Sequence, residues 1–542
     1  MPQFGTTAEA IVATLAAHGV DTVFALPGVQ TYALFEALRS SQPPMRVIGA
    51  RHEQTVAYMA FGYAQSTGRL GVYSVVPGPG VLNSSAALVS AHGASQPVLC
   101  LTSDVPSEFR GRGLGHLHEL PDQLATLRTI TKWAANIDDP AQASELTAEA
   151  IHAATTGRPR ATAIATPWDL LAATGSYELA SVRPPATPPS DAASLERAAA
   201  LVSTARNPMI LVGGGAREAG SPVRELAEFL QAPVVSFRGG RGVLSDEHPL
   251  AFTCAAGFER WQDTDVVIGI GSRLELKWFR WPARPEQRLV LIDIDPEQAV
   301  RLRPDEAIIA DAAQGAAALL SRLRATSVAA TDRGDEFGKI KQAKEAEIRD
   351  LGPELEYLRA IREALPRDGY LVEEICQVGF ASYVGFPVYE PRHFITCGHQ
   401  GTLGFGYPTA LGVQAAHPDK AVVSIAGDGG FLFAAGELST AVQYDLPVVA
   451  VVFANGAYGN VKLDQERLFG PGHAFGADVH VPDFAALAES FGMAGYRVES
   501  AADLTVRLRQ ALAARRPAVI EVRCELGVGV SPWKYLMPRN DA

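Results

Sequence analysis

The sequence predicts an α/β protein made of three doubly wound parallel-sheet domains. Three observations lead there. Short apolar runs alternate along the whole chain with helical stretches, as in sheets buried on both faces by crossover helices. Two stretches break that alternation and divide the chain near residues 1–180, 190–325 and 350–542. Two apolar runs near the end of the chain stop in polar residues set among glycines, Gly427-Asp428-Gly429 and Asn455-Gly456. A length of 542 residues is too great for one core, which agrees with several domains.

The elements follow in order. In the first block Thr22-Val23-Phe24-Ala25-Leu26 runs into a Pro27-Gly28 turn, Val72 to Val76 runs into Pro77-Gly78-Pro79-Gly80, and Val98 to Thr102 follows a helical segment. The proline-rich Arg183-Pro184-Pro185-Ala186-Thr187-Pro188-Pro189 reads as a linker, since proline breaks element interiors. In the second block Met209 to Val212 runs into Gly213-Gly214-Gly215, and the runs Val266–Ile270 and Leu289–Asp293 follow. Residues 325–350 are polar and charged, with a helical tract from Lys339 to Arg349, and read as a second connector. In the third block the runs are Ala421–Ala426, Leu446–Phe453 and Ala518–Val522.

Composition excludes several classes. The chain is 47% hydrophobic and 20% charged, as expected of a globular protein, and its net charge of −12 opposes general binding to nucleic acid or anionic membrane. No apolar stretch is long enough to span a bilayer, and the N-terminus lacks a basic leader. Cys100, Cys254, Cys376, Cys397 and Cys524 are scattered and odd in number, which suits reduced thiols in the cytoplasm.

Parallel strands deliver their carboxyl ends to one edge of a sheet, where open α/β sheets bind ligands. Asp428 and Asn455 can meet there. A carboxylate, an amide oxygen and a nearby carbonyl form a hard oxygen site suited to Mg²⁺ that also takes phosphate oxygens. The neighbouring glycines let backbone N–H groups reach the same phosphates. In the first block Arg51-His52-Glu53-Gln54 precedes a helix rich in small residues, with Ala60, Gly62, Tyr63 and Ala64, then Pro77 to Gly80 and Asn83. The third block adds Gly398-His399-Gln400-Gly401-Thr402-Leu403-Gly404-Phe405-Gly406-Tyr407-Pro408.

Together these motifs resemble the thiamine-diphosphate-dependent enzymes, in their acetohydroxyacid (acetolactate) synthase-like branch. The likeness extends through the middle block at Gly213-Gly214-Gly215, Ala232 to Val235, His248-Pro249-Leu250 and Ile292 to Asp295. It implies pyrimidine-binding, central and diphosphate-binding domains. It implies that Glu53 hydrogen-bonds the aminopyrimidine ring, and that Leu403 is the apolar residue propping the cofactor into its bent shape. Asp428, Asn455 and the Ala457 carbonyl would hold the metal. Further cofactor contacts are implied for Pro27, Gly28, Pro79, Asn83, Gln377, His399, Gln400, Gly401, Gly427, Gly429, Gly430 and Tyr458. The site would form between the first domain of one subunit and the third of another, in a homodimer or homotetramer.

Several segments depart from that pattern. His118, in Gly113-Leu114-Gly115-His116-Leu117-His118-Glu119, stands where the branch has glutamine, so it is either a proton carrier facing the cofactor or a loop residue at the subunit contact. Cys376-Gln377-Val378-Gly379 keeps only the glutamine of the branch's Gly-Gln-His-Gln segment, with His399 or Gln400 as candidates to compensate. The middle block lacks clear flavin-contacting segments, so FAD is not expected. Lys462 and Gln465 either enter the pocket or lie on a solvated helix face, and Val528 to Pro538 reads either as a substrate-side lid or as a simple terminal clasp. The expected activity is acetolactate-type carboligation of a 2-oxo acid or 2-hydroxy carbonyl compound. A 2-oxo-acid decarboxylase, a benzaldehyde-lyase-like enzyme and a 2-hydroxyacyl-CoA lyase stay open. A flavin- or nucleotide-binding oxidoreductase is the rival from another class, but Gly213 to Glu218 does not complete its phosphate turn.

Overall fold

The computed structural model describes residues 3–282, 284–326, 331–349 and 352–525. Three six-stranded parallel sheets form, one in each block. Across the first sheet the strands are Arg46–Ile48, Thr22–Ala25, Gly71–Val75, Val98–Asp104, Thr162–Pro167 and Trp133–Asn136. Across the third they are Phe394–Ile395, Tyr370–Val372, Val422–Gly427, Val449–Ala454, Ala518–Arg523 and Ala494–Val498. Counted along the chain within each block, both sheets have the order 2-1-3-4-6-5. The middle sheet runs Ala251–Thr253, Val234–Ser236, Pro208–Val212, Val266–Ile270, Arg288–Asp293 and Glu306–Ile309, the 3-2-1-4-5-6 order of dinucleotide-binding folds. An antiparallel pair, Gln3–Thr6 with Thr174–Tyr177, ties the start of the first block to its end.

No helix or strand lies between Tyr177 and Ala192, across the proline-rich stretch. The second connector contains the helix Gly334–Arg349, which turns Phe337 and Ile348 into the core. Arg241 fastens the central domain to the third. It is almost wholly buried, and donates to the carbonyls of Tyr383 (2.5 Å) and Phe386 (2.7 Å) and to Asp246 (2.6 Å). No helix among the described residues is long and apolar enough to cross a membrane. All five cysteines are unpaired.

The first and third domains meet through the helices Glu53–Thr67 and Gly406–Ala416. Both are rich in small residues and touch backbone to backbone. A β-carbon on Gly62 would sit 2.2 Å from the Thr409 carbonyl oxygen, and one on Gly412 would sit 2.0 Å from that of Met59. Tyr58 and Phe61 close the seam edge-on against Phe405. Here the obstacle is backbone, which moves less readily than a side chain. Gly62→Ala is therefore expected to cost about 1–3 kcal/mol of stability by overpacking, read as a lower urea midpoint.

Candidate active site

The strands Val422–Gly427 and Val449–Ala454 pair with Gly427 opposite Phe453, so Asp428 and Asn455 leave the sheet side by side. Asp428 is buried. Its Oδ2 accepts the N–H groups of Asn455 (2.8 Å) and Gly456 (2.7 Å), and its Oδ1 accepts that of Gly429 (2.7 Å). Asn455 Oδ1 accepts the Ala457 N–H at 3.1 Å. These bonds hold both turns at the carboxyl edge. A cavity of about 270 Å³ opens over them, lined by Gln377, Gly401, Leu403, the Gly427–Gly430 turn, Asn455, Ala457 and Tyr458. A side chain on Gly429 would strike the Tyr458 ring at 2.4 Å, so the turn stays bare and its backbone can approach a ligand closely. Among the described residues no group of three or more His, Cys, Asp or Glu side chains could hold a metal. A metal here would rest on one carboxylate and neutral oxygens, with places left for phosphate oxygens. That donor set and the bare glycine turn fit thiamine diphosphate with Mg²⁺.

Glu53 stands elsewhere. It is the first residue of its helix, whose N-terminus is capped by the His52 ring accepting the Gln54 N–H at 3.1 Å. The amide of Asn83 donates to Glu53 Oε2 at 3.0 Å. Pro79 begins the next helix, after Gly78 at φ +60°, where a side chain would hit the His118 carbonyl at 2.4 Å. Pro27 and Gly28 follow the strand Thr22–Ala25 at the carboxyl edge of the first sheet. His118, itself at φ +64°, places Nδ1 2.6 Å from Gln30 Oε1, and Gln30 Nε2 donates to the Leu117 carbonyl. With Nδ1 as the donor in that contact, Nε2 of the neutral ring is the acceptor. None of these first-domain residues lines the Asp428 cavity of the same chain.

His399 and Gln400 are not brought to that cavity either. Both lie against Gly93, and His399 lines a separate cavity of about 380 Å³ where the three domains meet. That cavity also meets Gly213 to Gly215, Arg217, Arg238, Arg273 and Glu275. Two of its three glycines are needed for packing: side chains at Gly213 and Gly215 would collide with the backbone of Gly271. Lys462 pairs with Asp478 at 2.7 Å, and Gln465 exchanges hydrogen bonds with the Phe475 backbone, so both fasten a loop. The Val528–Pro538 segment lies outside the described residues.

Sequence reasoning passed over three buried carboxyls. Glu437 accepts the N–H groups of Arg51 and His52, each at 3.1 Å, and the Thr440 hydroxyl at 2.6 Å. It thereby holds the segment that launches Glu53. Glu374 accepts the N–H groups of Gly404 (2.6 Å) and Gly406 (3.1 Å). Glu373 accepts the Tyr383 hydroxyl at 2.9 Å, and its Oε2 has no partner among the described residues. Burial pushes both Glu373 and Glu374 up to about 7. In sequence all three look like ordinary acids; only the Glu373-Glu374 pair at the end of an apolar run was a signal.

Comparisons with known proteins match all three domains. Residues 5–126 match the family model described as thiamine pyrophosphate enzyme, N-terminal TPP binding domain. Residues 195–319 match its central domain, and residues 375–522 its C-terminal TPP binding domain. The chain belongs to the thiamine-diphosphate-dependent enzymes. Within them it falls in the acetolactate-synthase-like branch. It is 34% identical to a "Probable 2-ketoarginine decarboxylase" of Pseudomonas aeruginosa, over 96% of this chain and 94% of that one. It is 32% identical to a "Probable acetolactate synthase large subunit" of Methanocaldococcus jannaschii, over 95% and 91%. It is 30% identical to an acetolactate synthase of Bacillus subtilis, over 98% and 95%.

The buried pair makes stability depend on pH. Each carboxyl has a folded value of about 7 against an ordinary 4.5. Between those values the unfolded chain has lost protons that the folded chain keeps. The contribution of the pair is therefore present below 4.5 and lost as pH rises through about 7. Glu373→Gln removes one of the two titrations and is expected to flatten the fall in urea midpoint between roughly pH 5 and 8.

Proposed function

We propose that this chain is a thiamine-diphosphate- and Mg²⁺-dependent enzyme that breaks and makes a carbon–carbon bond beside the carbonyl of a 2-oxo acid. Acetolactate-type carboligation is the leading reaction. The observation that carries this reading is the register that sets Asp428 beside Asn455 over a bare glycine turn. Asp428, Asn455 and the Ala457 carbonyl would hold Mg²⁺, and the Gly427–Gly430 turn and Gln377 would receive the diphosphate. Thiamine diphosphate, when bound, would supply a carbon nucleophile and an electron sink for cleavage of the bond beside the carbonyl. Glu53, oriented by Asn83, would exchange a proton with the pyrimidine ring. Leu403 would support the two rings from below.

Glu53 does not line the cavity over Asp428 of its own chain, which supports a site completed by a second copy. Large apolar side chains stand exposed in both halves of the proposed contact: Tyr32 (62%), Leu82 (49%) and Phe433 (61%). Five unpaired cysteines, four of them buried, suit a reducing compartment such as the cytoplasm.

A second reading, decarboxylation ending in protonation, is favoured by His118. Its imidazole is oriented by Gln30, and its backbone carbonyl lies against Gly78 at the start of the Pro79 helix. The Pseudomonas relative bears the name of a decarboxylase. A product assay separates the two. Acetolactate and CO₂ from pyruvate, absent in Glu53→Gln, is the expected result for the synthase. Aldehyde without ligation, from pyruvate or from 2-ketoarginine and reduced in His118→Asn, would move the enzyme to the decarboxylases.

The shared site has its own check. Glu53→Gln and Asp428→Ala are each expected to be inactive alone. Refolded together in equal amounts, they should recover about a quarter of the wild-type activity, because half the dimers are mixed and each mixed dimer holds one intact site. No recovery would place Glu53 and Asp428 in the same chain's site.

A further inference from the structure

We infer that Glu374 is a positioning residue whose buried carboxylate sets the height of Leu403 above the Gly427–Gly430 turn, so that support for the bent cofactor is built before any cofactor arrives. The inference rests on the cofactor reading above. Glu374 is fully buried, just past the strand Tyr370–Val372. Its two oxygens accept the N–H groups of Gly404 and Gly406, the first and third residues after Leu403. Glu374 also abuts the diphosphate turn. A β-carbon on Gly430 would lie 2.3 Å from Glu374 Oε1 and 3.7 Å from Leu403 Cδ2. The carboxylate, the proposed wedge and the proposed phosphate turn thus converge on one point.

The loop needs such a hold. Residues 396–405 form neither helix nor strand, and Gly398, Gly401 and Gly404 all have positive φ. Backbone of that kind is not stiff by itself. Its far end is tied through Glu373. That carboxyl accepts the Tyr383 hydroxyl, which lies 3.4 Å from Thr396 Oγ1, and Thr396 Oγ1 accepts the Gly398 N–H at 3.2 Å. Arg238 donates to the Gly398 carbonyl. Two adjacent buried carboxyls are a poor choice for stability alone, since burying such groups is costly and apolar replacements often serve as well. As loop clamps they have a use: a carboxylate takes two N–H groups at fixed spacing, which no apolar side chain can do.

The test compares wild type, Glu374→Gln, Leu403→Ala and the double variant. In the cofactor-free protein, amide hydrogen exchange over residues 401–406 is expected to quicken in Glu374→Gln while the rest of the third domain is unchanged. In the loaded enzyme, Glu374→Gln should lower kcat about tenfold with KM shifted less than about threefold, and weaken the near-ultraviolet circular dichroism of the bound cofactor. The double variant should be no worse than Leu403→Ala, because the two residues act through one contact. Multiplicative losses, or unchanged loop exchange, would overturn the inference. Should Glu374→Gln fail to fold, Glu374→Asp, which keeps the charge and shortens its reach, is read by the same exchange and coupling criteria. If the wild-type protein binds no thiamine diphosphate, the cofactor reading falls, while exchange in the cofactor-free protein still decides whether Glu374 holds the loop.

Discussion

The arrangement depends on one constraint, the backbone contact between the helices Glu53–Thr67 and Gly406–Ala416. Both partners at Gly62 and Gly412 meet carbonyl oxygens, so rotamer changes cannot loosen it. The contact locks the first and third domains of a chain together. Glu437 reinforces the lock by gripping Arg51 and His52 from the third domain, and the Tyr444 hydroxyl accepts the Gly49 N–H at 2.8 Å. The helix that carries Glu53 is therefore aimed by the third domain of its own chain.

A second theme is the use of buried carboxylates as loop clamps. Asp428 gathers three N–H groups from two turns. Glu374 gathers two, and Glu437 serves the segment before Glu53. Glu521 accepts the Phe484 N–H at 3.1 Å while Arg523 approaches it at 2.9 Å. Each clamp exchanges the hydration of a charge for directed bonds in a region of low dielectric, where such bonds are strong and their loss is costly. Loops held this way can present bare glycines to a ligand without collapsing.

Much of this was legible in the sequence because parallel strands announce themselves. The runs ending at Asp428 and Asn455 are long and apolar, and the structure pairs them in register. Strands such as Arg46–Ile48, Ala251–Thr253 and Phe394–Ile395 escaped notice because they are only two or three residues long, too short to show a pattern. His399 and Gln400 were candidates to replace the diphosphate contact missing beside Gln377. The positive φ of Gly401 turns the chain between them, and they face Gly93 instead. Lys462 and Gln465 could not be read because their partners, Asp478 and Phe475, lie in a loop without pattern. The buried acids were hidden for a related reason: a carboxylate that accepts backbone N–H groups leaves no mark on the identity of its partners.

The two outer domains share one strand order, and their contact is reciprocal: position 59 faces 412, and position 62 faces 409. Each helix offers a glycine to the other's backbone at the same three-residue spacing. An exchange of that kind is the signature of an isologous two-fold interface. Inside one chain it gives the two outer domains a pseudo-two-fold relation, with the acid at a helix start on one side and the acidic turn after the third strand on the other. The central domain, with a different strand order, stands outside that symmetry.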